Sequence, residues 1–389
     1  MYLTKYKTVS AIISEYNPFH KGHEYHITQT RELTGSTFVV ALMSGAFVQR
    51  GEPAVFDKYT RTLMALNNGA DVVIELPVVY SLASATGFAE GAIALLNSLN
   101  CIDYLSFGSE CGNIDNLKSA AHILNSPSVE LDNMIKAKLK NGLSYPRAVC
   151  EAMSSSDDSN VFHGSNNILG IEYLKALEKY QSRIEAVTIP RKDNSYADKN
   201  LNTNSEYTSA LSVRNALKSS LPYQEYIPEN IQSLFEAPIF LDNFSNLMYY
   251  KLISLKDEGF EQYEDVSEEL SHKIIKNIPK FTSISEFVSI LKSKNYTYTR
   301  IQRCLAHILL DIKKGDSQIQ PEYARILGFK KDAEELLGVL KKSSSVPLVT
   351  KLADAQINYS LKKDIFASEL YSQISGRHQN EYTSSLIIV

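Results

Sequence analysis

The chain has 389 residues, of which 44% are hydrophobic and 22% charged, with a net charge of −4 at neutral pH. That length accommodates two domains and a large core. The near-balanced charge supplies no global basic field, so any nucleic-acid contact has to come from local patches. No apolar run is long enough to span a bilayer, and Met1–Lys7 has no signal-peptide core, which together point to the cytoplasm. The four cysteines (Cys101, Cys111, Cys150, Cys304) are scattered, with no CxxC pair and no His-Glu-x-x-His anywhere, so no protein-held metal is expected. No membrane or protein partner is implied.

Val9-Ser10-Ala11-Ile12-Ile13 reads as a buried first strand and Glu24–Leu33 as a helix, with Asn17-Pro18 punctuating the turn between them. Three of the eight histidines fall in His20-Lys21-Gly22-His23-Glu24-Tyr25-His26. Strand, tight turn, His-x-Gly-His and helix place two imidazoles and free backbone N–H groups at a helix N-terminus, an anion site. The arrangement resembles the HxGH signature of nucleotidyltransferases. Thr37–Met43, Asp71–Leu76 and Ile102–Phe107 read as further buried strands, separated by helices at Lys58–Asn67 and Phe88–Leu99. This alternation predicts an α/β fold with a parallel sheet covered on both faces, its ligand beyond the strands' carboxyl ends.

Ile114–Met153 is helical in pattern with a turn at Asn141-Gly142, and Ser154–Asn160 reads as a polar loop. A helix over Ile171–Tyr180 and a fifth strand at Ile184–Ile189 follow, then a long polar segment, Asp193–Tyr207, read as a loop over the site. Beyond Ser219 the strand alternation fades and helical patterns dominate. The expected organisation is a Rossmann-like nucleotidyltransferase domain over 1–218 and a mostly α-helical domain over 219–389.

Several residues carry two readings. Arg50, in the loop Gly45–Pro53, would either clamp a phosphate or pair with Glu52. Lys58 and Arg61 share a helix face, which is more often merely solvated. Ser209, Ser212 and Arg214 suit a phosphate at a helix start, although alone they read as an ordinary cap. Asn166 and Asn167 likewise read as caps. Tyr296-Thr297-Tyr298-Thr299-Arg300-Ile301-Gln302-Arg303 fits a stacking, basic surface for single-stranded RNA, or a helix start with tyrosines packed on a neighbour.

Together these pieces resemble the bacterial tRNA(Met) cytidine acetate ligases. The matching segments are Ser14–His26, Met43-Ser44-Gly45 with Gln49–Ala54, Val73–Pro77, Phe107–Glu110, Asn166–Gly170, Tyr296–Arg303 and Ser345–Leu352. The resemblance implies an enzyme that condenses acetate with ATP to acetyl-adenylate. It then passes the acetyl group to N4 of the wobble cytidine of elongator tRNA(Met). The ATP-binding set it implies is Ile13-Ser14-Glu15-Tyr16-Asn17-Pro18-Phe19-His20-Lys21-Gly22-His23-Glu24-Tyr25-His26 with Gly108, Asn166, Asn167 and Arg191. Ser209, Ser212 and Arg214 would form a second phosphate motif, in which Leu211 stands where the family usually has Thr or Ser. His20 and His23 would stabilise the α-phosphate, and Mg²⁺ is inferred on the pyrophosphate. Arg50, Lys58, Arg61, Arg300 and Arg303 are the candidates for tRNA contact. Within enzymes the alternative is a small-metabolite adenylyltransferase of the nicotinate or pantetheine-phosphate type. Outside enzymes it is a non-catalytic tRNA-binding factor.

Overall fold

The computed structural model describes residues 7–143, 145–153, 159–162, 164–192, 207–378 and 380–389. Most of the two expected loops, 154–158 and 193–206, lies outside the described residues, as does Met1–Tyr6. The first half runs β1 (Val9–Ser14), α1 (Lys21–Thr34), β2 (Phe38–Ser44), β3 (Phe47–Val48), β4 (Glu52–Pro53), α2 (Lys58–Asn67), β5 (Val72–Leu76), α3 (Val78–Ser81), α4 (Ala85–Leu99) and β6 (Tyr104–Ser109). Helices α5 (Ile114–Asn125), α6 (Val129–Lys140), α7 (Tyr145–Ala152) and α8 (Ser165–Lys179) lead to β7 (Glu185–Pro190) and α9 (Ala210–Lys218). Next come α10 (Ser245–Leu255), α11 (Glu268–Asn277), α12 (Ile284–Leu291), α13 (Tyr298–Leu310), β8 (Ala324–Phe329), α14 (Glu334–Ser343), β9 (Leu348–Val349), α15 (Tyr359–Ser375) and β10 (Ile387–Ile388).

Among the described residues one eight-stranded sheet has the order β10-β8-β5-β2-β1-β6-β7, with β9 beside β8. Strands β5, β2, β1, β6 and β7 are parallel, so Leu76, Ser44, Ser14, Ser109 and Pro190 all end on one edge. Strand β2 is buried along its whole length, as an unbroken apolar run covered on both faces requires. One face packs against α4, α5 and α8 through Leu95, Leu96, Leu117 and Leu174. The other packs against α2, α9 and the 227–235 segment through Met64, Leu66, Val213, Ile227 and Ile231. A further core, built on Leu252, Phe260, Leu270, Phe287, Leu305 and Ile308, belongs to helices α10–α13. No helix among the described residues is long and apolar enough to cross a membrane.

Two expectations change. The sheet is not purely parallel: β8 runs antiparallel to β5, and it comes from the half expected to be helical. A six-residue stretch such as Ala324–Phe329, apolar but for Arg325, is too short for periodicity to tell it from a buried helix segment. Nor does the sheet's territory end at Ser219, since Ile227, Ile231 and Phe235 share a core with β1 and β2 residues and the Ile239 N–H donates to the Val55 carbonyl at 2.8 Å. Local boundaries also move. Helix α1 begins at Lys21 rather than Glu24, and α8 at Ser165 rather than Ile171.

Candidate active site

The turn after β1 sets the site. Tyr16 adopts a positive φ of 47° and is 2% exposed; its ring and that of Phe19 pack against His23 at centroid distances of 5.0 and 5.6 Å. His20 then caps α1. Its Nδ1 accepts the Gly22 N–H at 3.0 Å, while His23 Nδ1 accepts the His20 N–H at 3.3 Å. A neutral imidazole that accepts at Nδ1 carries its proton on Nε2, so both rings are fixed as Nε2–H donors. They stack on each other, centroids 3.8 Å apart.

Burial, reinforced by the positive charge of Arg191, keeps these rings neutral. His20 is lowered to about 3, first by burial and then by Arg191 and Arg214. His26 is lowered to about 4 by burial and Arg191. Burial and the adjacent His20 push His23 well below its ordinary value. The same cationic field attracts an anion, and an anion seated there offsets the arginines' share of the shift but not that of burial.

Ser209 and Arg214, of the expected second phosphate motif, line the same cavity as the histidines. Ser209 caps α9 by accepting the Ser212 N–H at 3.1 Å, and Arg214 Nη1 donates to the Asn17 carbonyl at 2.6 Å. Arg191, at the end of β7, reaches Asn166 Oδ1 at 3.4 Å. Gly108 lies beside it, a Cβ there falling 3.5 Å from Arg191 Cγ. All of these except Ser212 line one cavity of about 870 Å³, together with Ile13, Ser14, Glu15, Tyr16, Asn17, His20, Gly22, His23, Tyr25 and His26.

Other expected ATP contacts stand behind that wall. Pro18, Phe19, Lys21 and Glu24 are absent from the cavity lining, and Phe19 is wholly buried in the core. Asn167, 1% exposed, accepts the N–H groups of Glu110 and Cys111 at 2.9 and 3.1 Å. It fixes the turn after β6, while Asn166 faces the cavity. Ser212 is buried, its hydroxyl 2.9 Å from that of Ser209.

Two tRNA candidates are corrected. Lys58 is 2% exposed and held by Glu75 at 2.9 Å and Glu381 at 3.0 Å. Arg325 completes that quartet, 2.7 Å from Glu381. Arg61 is fully buried and donates to the backbone carbonyls of Phe56, Glu15, Ser44 and Gly45. It ties the ends of β1 and β2 together and meets no solvent. Both sit on a helix face that the pattern reads as solvated, but Arg325 of β8 and Glu381 enclose Lys58 and the ends of β1 and β2 enclose Arg61. Tyr296 is no stacking platform: it is 4% exposed, and its hydroxyl bonds Ser267 at 2.6 Å and donates to Glu269 at 3.2 Å.

Arg50, Arg300 and Arg303 do reach the same cavity as the histidines. Arg303 pairs with Asp265 at 3.2 Å and the Arg300 guanidinium lies 5.1 Å from the Tyr296 ring centre. Sequence reasoning missed Gln49, Glu172, Tyr173, Lys192 and Tyr207, which also line it. Lys192 Nζ lies 4.2 Å from the centre of the Tyr25 ring and 5.8 Å from that of Tyr207. Only its position beside Arg191, after a strand end, hinted at this.

The HIGH Nucleotidyl Transferase family model matches residues 7–385. A tRNA(Met) cytidine acetate ligase of Clostridium perfringens strain SM101 is 40% identical, covering 98% of this chain and 99% of its own. That of Acetivibrio thermocellus is 36% identical over 98% of this chain and 100% of its own. The crystal structure of Thermotoga maritima TmcAL bound with alpha-thio ATP superposes with a TM-score of 0.87 at 30% identity, covering 98% of this chain and 99% of that one. The chain belongs to the HIGH nucleotidyl transferase family and, within it, to the tRNA(Met) cytidine acetate ligases.

Proposed function

We propose that this protein activates acetate with ATP and transfers the acetyl group to N4 of the wobble cytidine of elongator tRNA(Met). The observation that carries the reading is the pair of stacked Nε2–H imidazoles facing the field of Arg191 and Arg214, in one cavity with Arg50, Arg300 and Arg303. In the first step an acetate oxygen attacks the α-phosphorus, the bond to the β-phosphate breaks and pyrophosphate leaves. His20 and His23 donate to the oxygens on which charge builds. Such a pre-positioned donor typically contributes about 10²–10³ in rate. Arg214, one turn into α9, and Arg191 neutralise the phosphates, with Ser209 at that helix start. Leu211 brings no hydroxyl to the wall, so the cation and the backbone carry that share.

In the second step N4 attacks the acetyl carbon and AMP leaves. Arg50, Arg300 and Arg303 are the residues that would hold the anticodon backbone. Among the described residues no group of three or more His, Cys, Asp or Glu side chains is placed to hold a metal ion. The described residues therefore form no cage for Mg²⁺, and we propose that the ion arrives on the triphosphate oxygens with most of its water.

The test is incubation of the purified protein with ATP, Mg²⁺, labelled acetate and unmodified elongator tRNA(Met), followed by nucleoside analysis. Label in N4-acetylcytidine is the expected result. Its absence, with ATP bound, overturns the reading of acid or acceptor.

A further inference from the structure

Aminolysis of a mixed anhydride leaves one proton to be placed. The exocyclic amine of cytosine is a weak nucleophile, because its lone pair is delocalised into the ring, so a base that removes its proton accelerates attack. His20 and His23 cannot serve, since each accepts at Nδ1 and is protonated at Nε2, and the Nε2 of His26 is taken up by the Ser106 hydroxyl at 3.1 Å. The Tyr173 phenol, raised by burial with the Glu15 charge adding to it, stays a donor.

Among the described residues three carboxylates line the cavity, Glu15, Glu172 and Asp265. Asp265 is engaged by Arg303 at 3.2 Å, and Glu172 by Lys175 at 2.9 Å. Glu15 is held differently. Its Oε1 accepts the backbone N–H of Gln49 at 2.9 Å, and Arg61 grips its carbonyl at 2.7 Å rather than its carboxylate. The side chain is thereby oriented by a neutral donor, while the Arg61 guanidinium that grips its carbonyl also feels its charge. Along the chain it lies between β1 and the histidine turn, and its bond to Gln49 sets it beside Arg50, on the approach the tRNA would use.

Building on the acetyl-transfer reading above, we propose that Glu15 is the general base of the transfer step. As N4 forms its bond to the acetyl carbon, an N–H proton passes to the Glu15 carboxylate. The carbonyl–phosphate C–O bond breaks, its electron pair leaves with AMP, and the carboxylic acid then returns its proton to solvent.

The full-length protein and its Glu15→Gln variant test this in two assays: acetate-dependent ATP–pyrophosphate exchange, and single-turnover transfer from preformed acetyl-adenylate to tRNA between pH 5 and 9. Transfer is expected to fall by about 10²-fold or more, the usual share of a general base, with exchange falling far less. Glu15→Asp should restore part of the transfer rate. A parallel loss of exchange and transfer would assign Glu15 to nucleotide binding or to the fold and overturn the proposal, as would an unchanged transfer rate. If the wild-type protein acetylates no tRNA, the functional reading itself fails. Wild-type acetylation with full activity in the variant removes only the assignment of Glu15.

Discussion

Gly51 is pressed against Arg303. A Cβ on Gly51 would lie 2.3 Å from the Arg303 backbone nitrogen and 2.4 Å from the Gln302 carbonyl carbon, and its φ is +80°. The short ribbon of β3 and β4 is thus docked, backbone to backbone, on the first turns of α13, where Gln302 Nε2 also reaches Glu52 at 3.1 Å. Arg50 and Arg303 arrive at the cavity from opposite sides of that junction.

Replacing Gly51 with Ala should therefore separate the two arginines. Strain at a positive φ alone costs about 1–3 kcal/mol, and the clash with backbone adds to it. The expected outcome is a lower unfolding midpoint, with tRNA acetylation falling further than acetate-dependent pyrophosphate exchange. Equal losses in both assays would mean that the ribbon supports the nucleotide site instead.

His20→Ala and His23→Ala should each slow acetyl-adenylate formation by about 10²-fold or more, with a smaller change in ATP affinity, if the rings act on the transition state. His20→Ala also removes the cap of α1, worth about 1 kcal/mol, so its unfolding midpoint should drop as well. Pre-steady-state pyrophosphate release separates chemistry from binding.

Stability should depend on pH through these histidines. In the unfolded chain each titrates near the ordinary ~6.5, whereas in the fold His20 lies at about 3 and His26 at about 4. Between those limits the unfolded chain binds more protons, so stability rises with pH. The histidines' contribution is complete above about pH 7 and is lost progressively as the pH falls through 6.5 towards 4. Urea midpoints at pH 7.5, 6 and 5 should descend in that order, and His26→Gln should flatten the slope. A pH-independent midpoint would show that the rings titrate alike in the folded and unfolded chain.

Lys58→Met should destabilise the protein by about 3–5 kcal/mol, the range for removing one partner of a buried ion network. It leaves Glu75 and Glu381 with Arg325 alone. Loss of tRNA affinity with no change in denaturant midpoint would restore Lys58 to the surface role that its burial denies.

Arg300→Ala with Arg303→Ala should weaken tRNA binding and make its salt dependence shallower, by a log–log slope of about 0.7–0.9 for each phosphate that is no longer neutralised. Since Arg303 also holds Asp265, the Arg300 change should carry more of the slope. Filter binding at several salt concentrations reads this directly.

Much of the site was legible from local signals. The HxGH turn, Ser209 as a cap and the strand ends depend on neighbours within a few residues, and there sequence spacing and structure agree. The fate of Lys58 and Arg61 did not, because the groups that bury them, Glu381, Arg325 and the carbonyls of Glu15 and Ser44, come from elsewhere in the chain. Strand β8 was missed for the same reason: its partner β5 lies far upstream, and six residues with one buried arginine among them carry too little periodicity to separate strand from helix. Asn166 and Asn167 form an intermediate case. The pair marked a helix start, but only the fold shows which faces the cavity and which braces the turn.

The buried quartet orders events during synthesis. Glu381 reaches Tyr59 across 322 positions of sequence, and Arg325 arrives almost as late. A ribosome that has delivered β1 to β7 has made a sheet whose Lys58 and Glu75 have only each other, with one edge unpaired. Every residue that lines the cavity, Arg303 included, is therefore made before the last two members of the quartet close the packing beneath it.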